Sequence, residues 1–448
     1  MMAGESSSFR RNAVEVFATR VGVVLILVAT NVLVTRKLTT ADRGVYALIV
    51  ALPLTLQVIA GLGVNQANVY LVNQGVRVRS LVVDSLYLCF MIGAALLLVM
   101  TIFRDALLDS VLDGVPTAAF IVVVALMPFS LMDLFFNGVI QGLRLFRIFN
   151  TRRILVSCLM LGLVALLVVV LDLGLAGAVV ALAVTMVVTG LWFLAIVVRI
   201  DGLQPGADWT LVGRMVRYGS KSYLANLEGF LTYRLALYLV AFLMDSEAVA
   251  YYAVATSLVE MVWFIPDSVG TVLFPRLSAL RDDAETHRVT AGVCRQTLLL
   301  TVAAALAVAA LGRLAIVVLF GERYLPSLTP LLILLPGVTA ISVYKVLWRN
   351  FSGRDRQQVT VVAAGVALAL NAGLSFALIP RLGLAGAALS SSLSYFGGTA
   401  VLLLVFLRES QVGWRATLVP TRADLAGQLA WLLRRGSGRR PQGGDGPP

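Results

Sequence analysis

Residues Tyr251 to Arg276 read YYAVATSLVEMVWFIPDSVGTVLFPR, a stretch long and apolar enough to cross a bilayer that nonetheless contains Glu260 and Asp267. On a helix, Thr256, Glu260, Trp263, Asp267 and Thr271 share one narrow face. A carboxylate at the bilayer centre costs about 2.5–3.5 kcal/mol on insertion scales, so that face has to look at protein or at a watered cavity. Pro266, between the two acids, removes a backbone hydrogen bond and suits a kinked, movable helix. A chain with such a segment folds as a bundle with a polar interior, and this helix is expected to line a transport path.

The remainder of the chain agrees. Hydrophobic residues make up 59% of the 448 and charged residues 13%, with a mean hydropathy of +0.91, which excludes a water-soluble globule. The formal charge of +12 raises the question of nucleic acid. The basic residues, however, sit in short loops between apolar runs, so membrane topology explains them and no nucleic-acid partner is expected. Cys89, Cys158 and Cys294 stand far apart, supporting neither a disulfide framework nor a metal site. The single histidine, His287, is read as part of a charged loop. No GxxxxGK[ST] phosphate loop occurs, and neither cofactor nor metal is expected.

With about 20 apolar residues per crossing, twelve crossings are expected, over residues 12–34, 44–72, 80–103, 116–140, 151–171, 174–198, 218–243, 250–275, 293–319, 326–348, 359–379 and 384–406. The second is long enough to tilt or kink, helped by Pro53, Gly61 and Gly63. Most of the 36 Lys and Arg fall on one side of this arrangement, among them Arg77, Arg79, Arg144, Arg147, Arg152 and Arg153. Arg36, Lys37, Arg43, Arg104, Arg313, Arg323 and Arg381 fall on the other. The bias places both termini in the cytoplasm of a multi-pass plasma-membrane protein, with the first crossing as an uncleaved targeting signal.

An internal repeat sets the architecture. LGLAGA occurs at Leu173–Ala178 and again at Leu382–Ala387, 209 residues apart, and GVYALIVAL from Gly44 matches AYYAVATSL from Ala250 at an offset of 206. Crossings one to six therefore duplicate as seven to twelve with the same orientation, a layout with a site between two bundles. The expected fold is all-α: twelve transmembrane helices in two parallel-repeat six-helix lobes around a central cavity. A cytoplasmic N-terminus (1–11) precedes an N-terminal lobe (12–200), an inter-lobe linker (201–217), a C-terminal lobe (218–407) and a cytoplasmic tail (408–448). In the tail, residues 421–435 suit an interfacial amphipathic helix, and the remainder is disordered by composition.

Several crossings carry polar stripes. Arg20 and Asn31 share a face of the first; Gln57, Asn65 and Asn68 follow Pro53 along the second; Asn226, Tyr233 and Arg234 lie on one broad side of the seventh. Ser130, Asp133, Asn137 and Gln141 form a stripe in the fourth, nearer the inner surface. Buried Asn, Gln and Thr also tie helices together without any transport role.

At RKLTTADRGVYAL (36–48), GLGVNQANVYLV (61–72), QGLRLFRIFNTRR (141–153), FGERYLPSLTPLLILLPG (320–337) and the two LGLAGA copies, the chain resembles the polysaccharide-lipid (Wzx-type) flippases of the MOP exporter superfamily. It departs at Thr39-Thr40, where the family often has Gly-Pro, a change confined to an outer turn. The resemblance implies a non-enzymatic exporter moving a lipid-linked oligosaccharide, usually on undecaprenyl diphosphate, from the cytoplasmic to the outer leaflet by alternating access. Its partners would be membrane lipids and the glycosyltransferases or polymerase of the same pathway. A cationic cavity is implied, for which Arg20, Arg234 and Lys345 are suited by charge pairing with phosphate. Asn31, Gln57, Asn65, Asn68, Asn226 and Tyr233 would line it. Glu260 and Asp267, about Pro266, would carry a coupling proton or cation. Rival readings are a multidrug or cation antiporter of the same fold and a lipid-linked peptidoglycan-precursor flippase. A glycan polymerase would need a sizeable outer loop, which the sequence lacks. Replacing Arg20 by Ala separates a transporter from a scaffold: glycan export is expected to fail, and intact export would favour a scaffold.

Overall fold

The computed structural model describes residues 22–203, 206–279, 283–354, 356–410 and 412–421, except for some side chains in 146, 221–233 and 267–283. The described chain is helical throughout. Helix α1 covers 22–37, and α2 (Thr40–Ala60) starts where the Thr39 hydroxyl accepts from the Asp42 amide at 3.1 Å, an N-cap that the unusual Thr39-Thr40 pair supplies. The second predicted crossing then breaks: Leu62 and Gly63 take φ of 47° and 68°, and the chain restarts as α3 (Val64–Asn73). Gly63 is required here both for its left-handed backbone and because a Cβ would strike the Gly219 carbonyl.

After α4 (Val78–Ile102) and the short α5 (Arg104–Leu108), the fourth crossing is built from α6 (Thr117–Ala125) and α7 (Met127–Gly142), with Pro128 in the first turn of α7. Next come α8 (Phe146–Val164), which widens to i→i+5 bonding over Ala165–Val170, and α9 (Gly174–Asp201). Helices α10 (Trp209–Leu243), α11 (Ser246–Ala279) and α12 (Asp283–Ala315) follow. A 3₁₀ stretch over Glu322–Ser327 leads into α13 (Leu328–Gly353), α14 (Gln357–Leu382), α15 (Leu384–Ser410) and the short α16 (Trp414–Leu418).

Ten helices among the described residues have the length and apolarity to cross a membrane. They match every predicted crossing except two. The first begins within residues 1–21, outside the described residues; in the seventh, Arg234–Leu243 forms the apolar end of the longer α10. Helix α11 runs unbroken through the buried Pro266.

Helix α7 is the centre of the first half, packed against α3, α4 and α9; in the second half α13 and α15 pack on each other and on α11 and α14 respectively. The halves meet where α2 lies along α11 and α3 along α10. At the first seam Gly44 lets the helices touch, since a Cβ there would collide with the Ser246 carbonyl and come 3.2 Å from the Ala250 amide nitrogen. Gly44 and Ala250 are the matched positions of the second repeat, so equivalent residues face each other.

The LGLAGA repeat is a turn with a defined geometry. Its first glycine, Gly174 or Gly383, has φ of 55° in both copies; its second, Gly177 or Gly386, sits against a carbonyl of the preceding segment, Leu167 or Leu378.

Three readings need correction. His287 is not in a loop but buried in α12, edge-on to Phe406 and within 2.6 Å of Arg354 Nη1. Arg43 is not an outer-loop residue: it is 4% exposed in the first turn of α2. The predicted linker is shorter because α10 already begins at Trp209, and the Asp208 amide is held by Asp84 Oδ1 at 2.9 Å. The amphipathic helix expected at 421–435 lies almost wholly outside the described residues.

Gly44→Val should force α2 from α11, an overpacking cost of about 1–3 kcal/mol. A lowered melting temperature of the purified protein would show it. Gly213→Ala, with open space around it in α10, serves as the control and should hold or raise that temperature.

Candidate functional site

The two arms of the α10–α11 hairpin bring together ionised groups that the sequence separates by twenty-six residues. Arg234 Nη1 lies 3.5 Å from Glu260 Oε1, with the two side chains 31% and 37% exposed. The backs of the same turns are sealed, since Leu237, Leu258, Val259 and Val262 are buried. One turn further along α11, Trp263 meets Tyr395 of α15 edge-on at 6.5 Å, and Lys345 Nζ of α13 sits 5.0 Å from the Trp263 ring centroid. On α10, Tyr238 is one turn beyond Arg234, and its hydroxyl shares a hydrogen bond of 2.7 Å with Thr55 of α2. The face therefore looks inward, bounded by α2, α10, α11, α13 and α15. Charge pairing, a cation on an aromatic ring and partial hydration let it receive a multiply charged anion.

Of the residues expected to line the site, the structure brings Arg234, Glu260 and Lys345 to this face. Arg20 lies outside the described residues, as do the side chains of Asn226, Tyr233 and Asp267. The N-terminal set is engaged elsewhere. Gln57 Nε2 donates to the Ser130 carbonyl at 2.9 Å and to its hydroxyl. Asn68, fully buried, donates to Ser85 Oγ at 3.1 Å and to the Phe135 carbonyl at 3.0 Å. Asn65 is wedged against Gly138, where a Cβ would not fit. The break at Gly61–Gly63 is the physical reason. It interrupts the helical phase between α2 and α3, so the three do not form one stripe: Gln57 and Asn68 tie the helices to α7 and α4, and Asn65 packs on α7. Asn31 is likewise occupied: its Oδ1 accepts from Arg43 Nη2 at 2.7 Å, while Arg43 Nε donates to Thr35 Oγ1 at 2.9 Å.

Two further charged arrangements escaped the sequence reading. Asp133 of α7 takes a bidentate pair from Arg152 of α8, with Nε–Oδ1 at 2.8 Å, and that guanidinium also covers the Phe193 ring of α9. At the far end of the molecule, arginines from each half reach backbone carbonyls of the other. Arg36 donates to the carbonyls of Val318 and Leu319 at the end of the α12 segment. Arg323 reaches those of Thr35, Arg36 and Leu38 at the end of α1, and Tyr324 also bonds Thr35. Cations on unsatisfied C-terminal carbonyls are favourable on both counts, hydrogen bonding and helix dipole. Repeat offset does not pair these arginines, so no sequence signal announces the clamp. Among the described residues, no three His, Cys, Asp or Glu gather to hold a metal ion.

Comparison with known proteins gives a consistent result. The profile of a family described as polysaccharide biosynthesis protein matches residues 33–329. A candidate O-antigen transporter of Shigella flexneri is 23% identical over 340 residues, 73% of this chain and 78% of that protein. An uncharacterized membrane protein of Methanocaldococcus jannaschii is 26% identical over 186 residues, 41% of this chain and 35% of that protein. In three dimensions the chain is similar to the lipid II flippase MurJ in its inward closed conformation, with a TM-score of 0.77 at 12% identity over 95% of this chain and 93% of that one. It is also similar to an inward-facing multidrug resistance MATE family transporter of the MOP superfamily, with a TM-score of 0.65 at 17% identity over 87% and 94% of the two chains.

The bonds of Asn68 predict that Asn68→Ala destabilises without silencing. With two interhelical hydrogen bonds lost at roughly 0.6 kcal/mol each, the purified protein should melt a few degrees lower.

Proposed function

This chain belongs to the polysaccharide biosynthesis protein family, a multi-pass membrane protein with the fold of MOP superfamily transporters, and from that premise we propose that it moves a polyprenyl-diphosphate-linked oligosaccharide across a bacterial inner membrane. The observation that carries the reading is the partly exposed Arg234–Glu260 pair between α10 and α11, with Lys345 of α13 against the ring of Trp263 on the next turn of α11. The Asp133–Arg152 pair is bidentate and less exposed, as suits a fixed structural contact; the more exposed, single-contact Arg234–Glu260 pair is freer to change partner. The diphosphate needs cations, which Arg234 and Lys345 offer, and the sugars need aromatic and hydroxyl surfaces, which Trp263 and Tyr395 offer. The relative named as an O-antigen transporter supports a glycan cargo over a cationic drug.

Transport proceeds by alternating access between two lobes, residues 12–200 and 218–407. The contact of matched positions Gly44 and Ala250 supports a pseudo-two-fold axis along α2 and α11, between the lobes. In the orientation expected from the basic residues, with both termini cytoplasmic, the Arg36 and Arg323 clamp closes the outer end. Opening outward requires those five carbonyl contacts to break, and closing restores them.

Leaflet-resolved labelling of the lipid-linked glycan tests the function. Cells lacking the protein should accumulate the glycan in the inner leaflet and lose its outer-leaflet label; unchanged outer labelling would overturn the proposal. In the Arg36→Ala, Arg323→Ala variant, a cysteine at the fully buried Ser327 should gain reactivity toward an impermeant maleimide added outside.

A further inference from the structure

The Arg234–Glu260 contact is loose for an intramembrane pair. At 3.5 Å through a single nitrogen it is longer than a charge-assisted hydrogen bond, about 2.7–2.9 Å. The Arg152–Asp133 pair differs in every respect: two hydrogen bonds, a covering ring, and side chains 22% and 12% exposed. Both pairs hold charge inside spanning helices, so the difference lies in how easily each can be exchanged. Arg234 can be taken from Glu260 by another anion with little loss; Arg152 cannot be taken from Asp133 without stranding a buried carboxylate.

A second cation belongs to the same face. Glu260 and Trp263 are three residues apart, about 4.5 Å of helix rise, so α11 presents Arg234 on a carboxylate and Lys345 on an indole ring on consecutive turns. Two cations reaching neighbouring turns of α11 suit an anion with two linked charged centres. This is the chemistry of a diphosphate. A monophosphate satisfies only one of them.

We propose that Glu260 is a resident stand-in for one phosphate of the cargo. In the empty protein its carboxylate keeps Arg234 paired; on loading, a phosphate oxygen replaces it on Arg234 while the second phosphate lies toward Lys345. On unloading, Glu260 takes Arg234 back. The carboxylate therefore competes with the cargo by design, weakening binding so that a diphosphate attracted by two cations can still leave. This assigns Glu260 a counter-ion role in cargo release and rests on the diphosphate reading above.

The test is equilibrium binding of geranylgeranyl diphosphate, with geranylgeranyl monophosphate beside it, to the full-length protein in nanodiscs. Wild type should prefer the diphosphate. Glu260→Gln removes the competitor, and an exposed pair of this kind is worth a change of about two- to fivefold, so Kd for the diphosphate should fall by that factor while glycan export slows. Glu260→Ala should shift Kd the same way and stands in if the Gln variant does not fold. Unchanged or weaker diphosphate binding in both variants would overturn the exchange while leaving the flippase reading intact. A wild-type protein that binds neither probe, or binds both equally, would overturn the diphosphate reading itself and the exchange with it.

Discussion

An ion placed in a hydrocarbon-length helix must find a partner or water, and the charged groups of this protein answer that requirement in three ways. Arg152 and Asp133 form a closed bidentate pair under Phe193 and lock α7 to α8. Arg43 is buried with no carboxylate partner among the described residues, its charge spread over Thr35, Asn31 and the Tyr46 ring, and locks α1 to α2. Arg234 and Glu260 meet loosely and stay half exposed. The first two stiffen the first half of the molecule. The third is held by one long contact and is the most easily exchanged of the three.

Apolar side chains give helices in lipid no preference for one another over acyl chains, so close approach has to come from small residues and backbone polar groups. Several contacts between the two halves are of this kind, beside an apolar core that spans both. Gly44 meets Ser246, Gly63 meets Gly219, and at the far end guanidinium groups meet carbonyls. Tyr70 stacks on Tyr218 at 4.1 Å, and Tyr238 meets Thr55, adding polar or aromatic contacts between α2–α3 and α10. Contacts of this kind are numerous, individually weak and directional.

The periodic features were legible in the residues. Membrane-length apolar runs announced the helices, and the LGLAGA copies announced a repeated turn whose left-handed glycine recurs with φ of 55° at Gly174 and Gly383. Glu260 as an inward residue followed from the cost of a carboxylate in lipid. Misreadings came where the helix was assumed to continue. The stripe from Gln57 to Asn68 relied on one unbroken 3.6-residue period, and two glycines at Gly61 and Gly63 reset the phase. His287 and Arg43 were misplaced because charge was read as a loop signal, although a helix end can bury a cation or an imidazole on ring faces and hydroxyls.

By itself the sequence determined that this protein is a repeated, helical, multi-pass membrane chain with a polar interior, because burial cost and apolar length are local properties that each segment carries alone. Only the tertiary structure decided which charges face each other. Arg234 chose Glu260, Arg152 chose Asp133, and Arg36 and Arg323 chose backbone carbonyls of the opposite half. Pairing depends on the rotation and offset of neighbouring helices, set by glycine contacts far along the chain, and a linear pattern holds no record of that geometry.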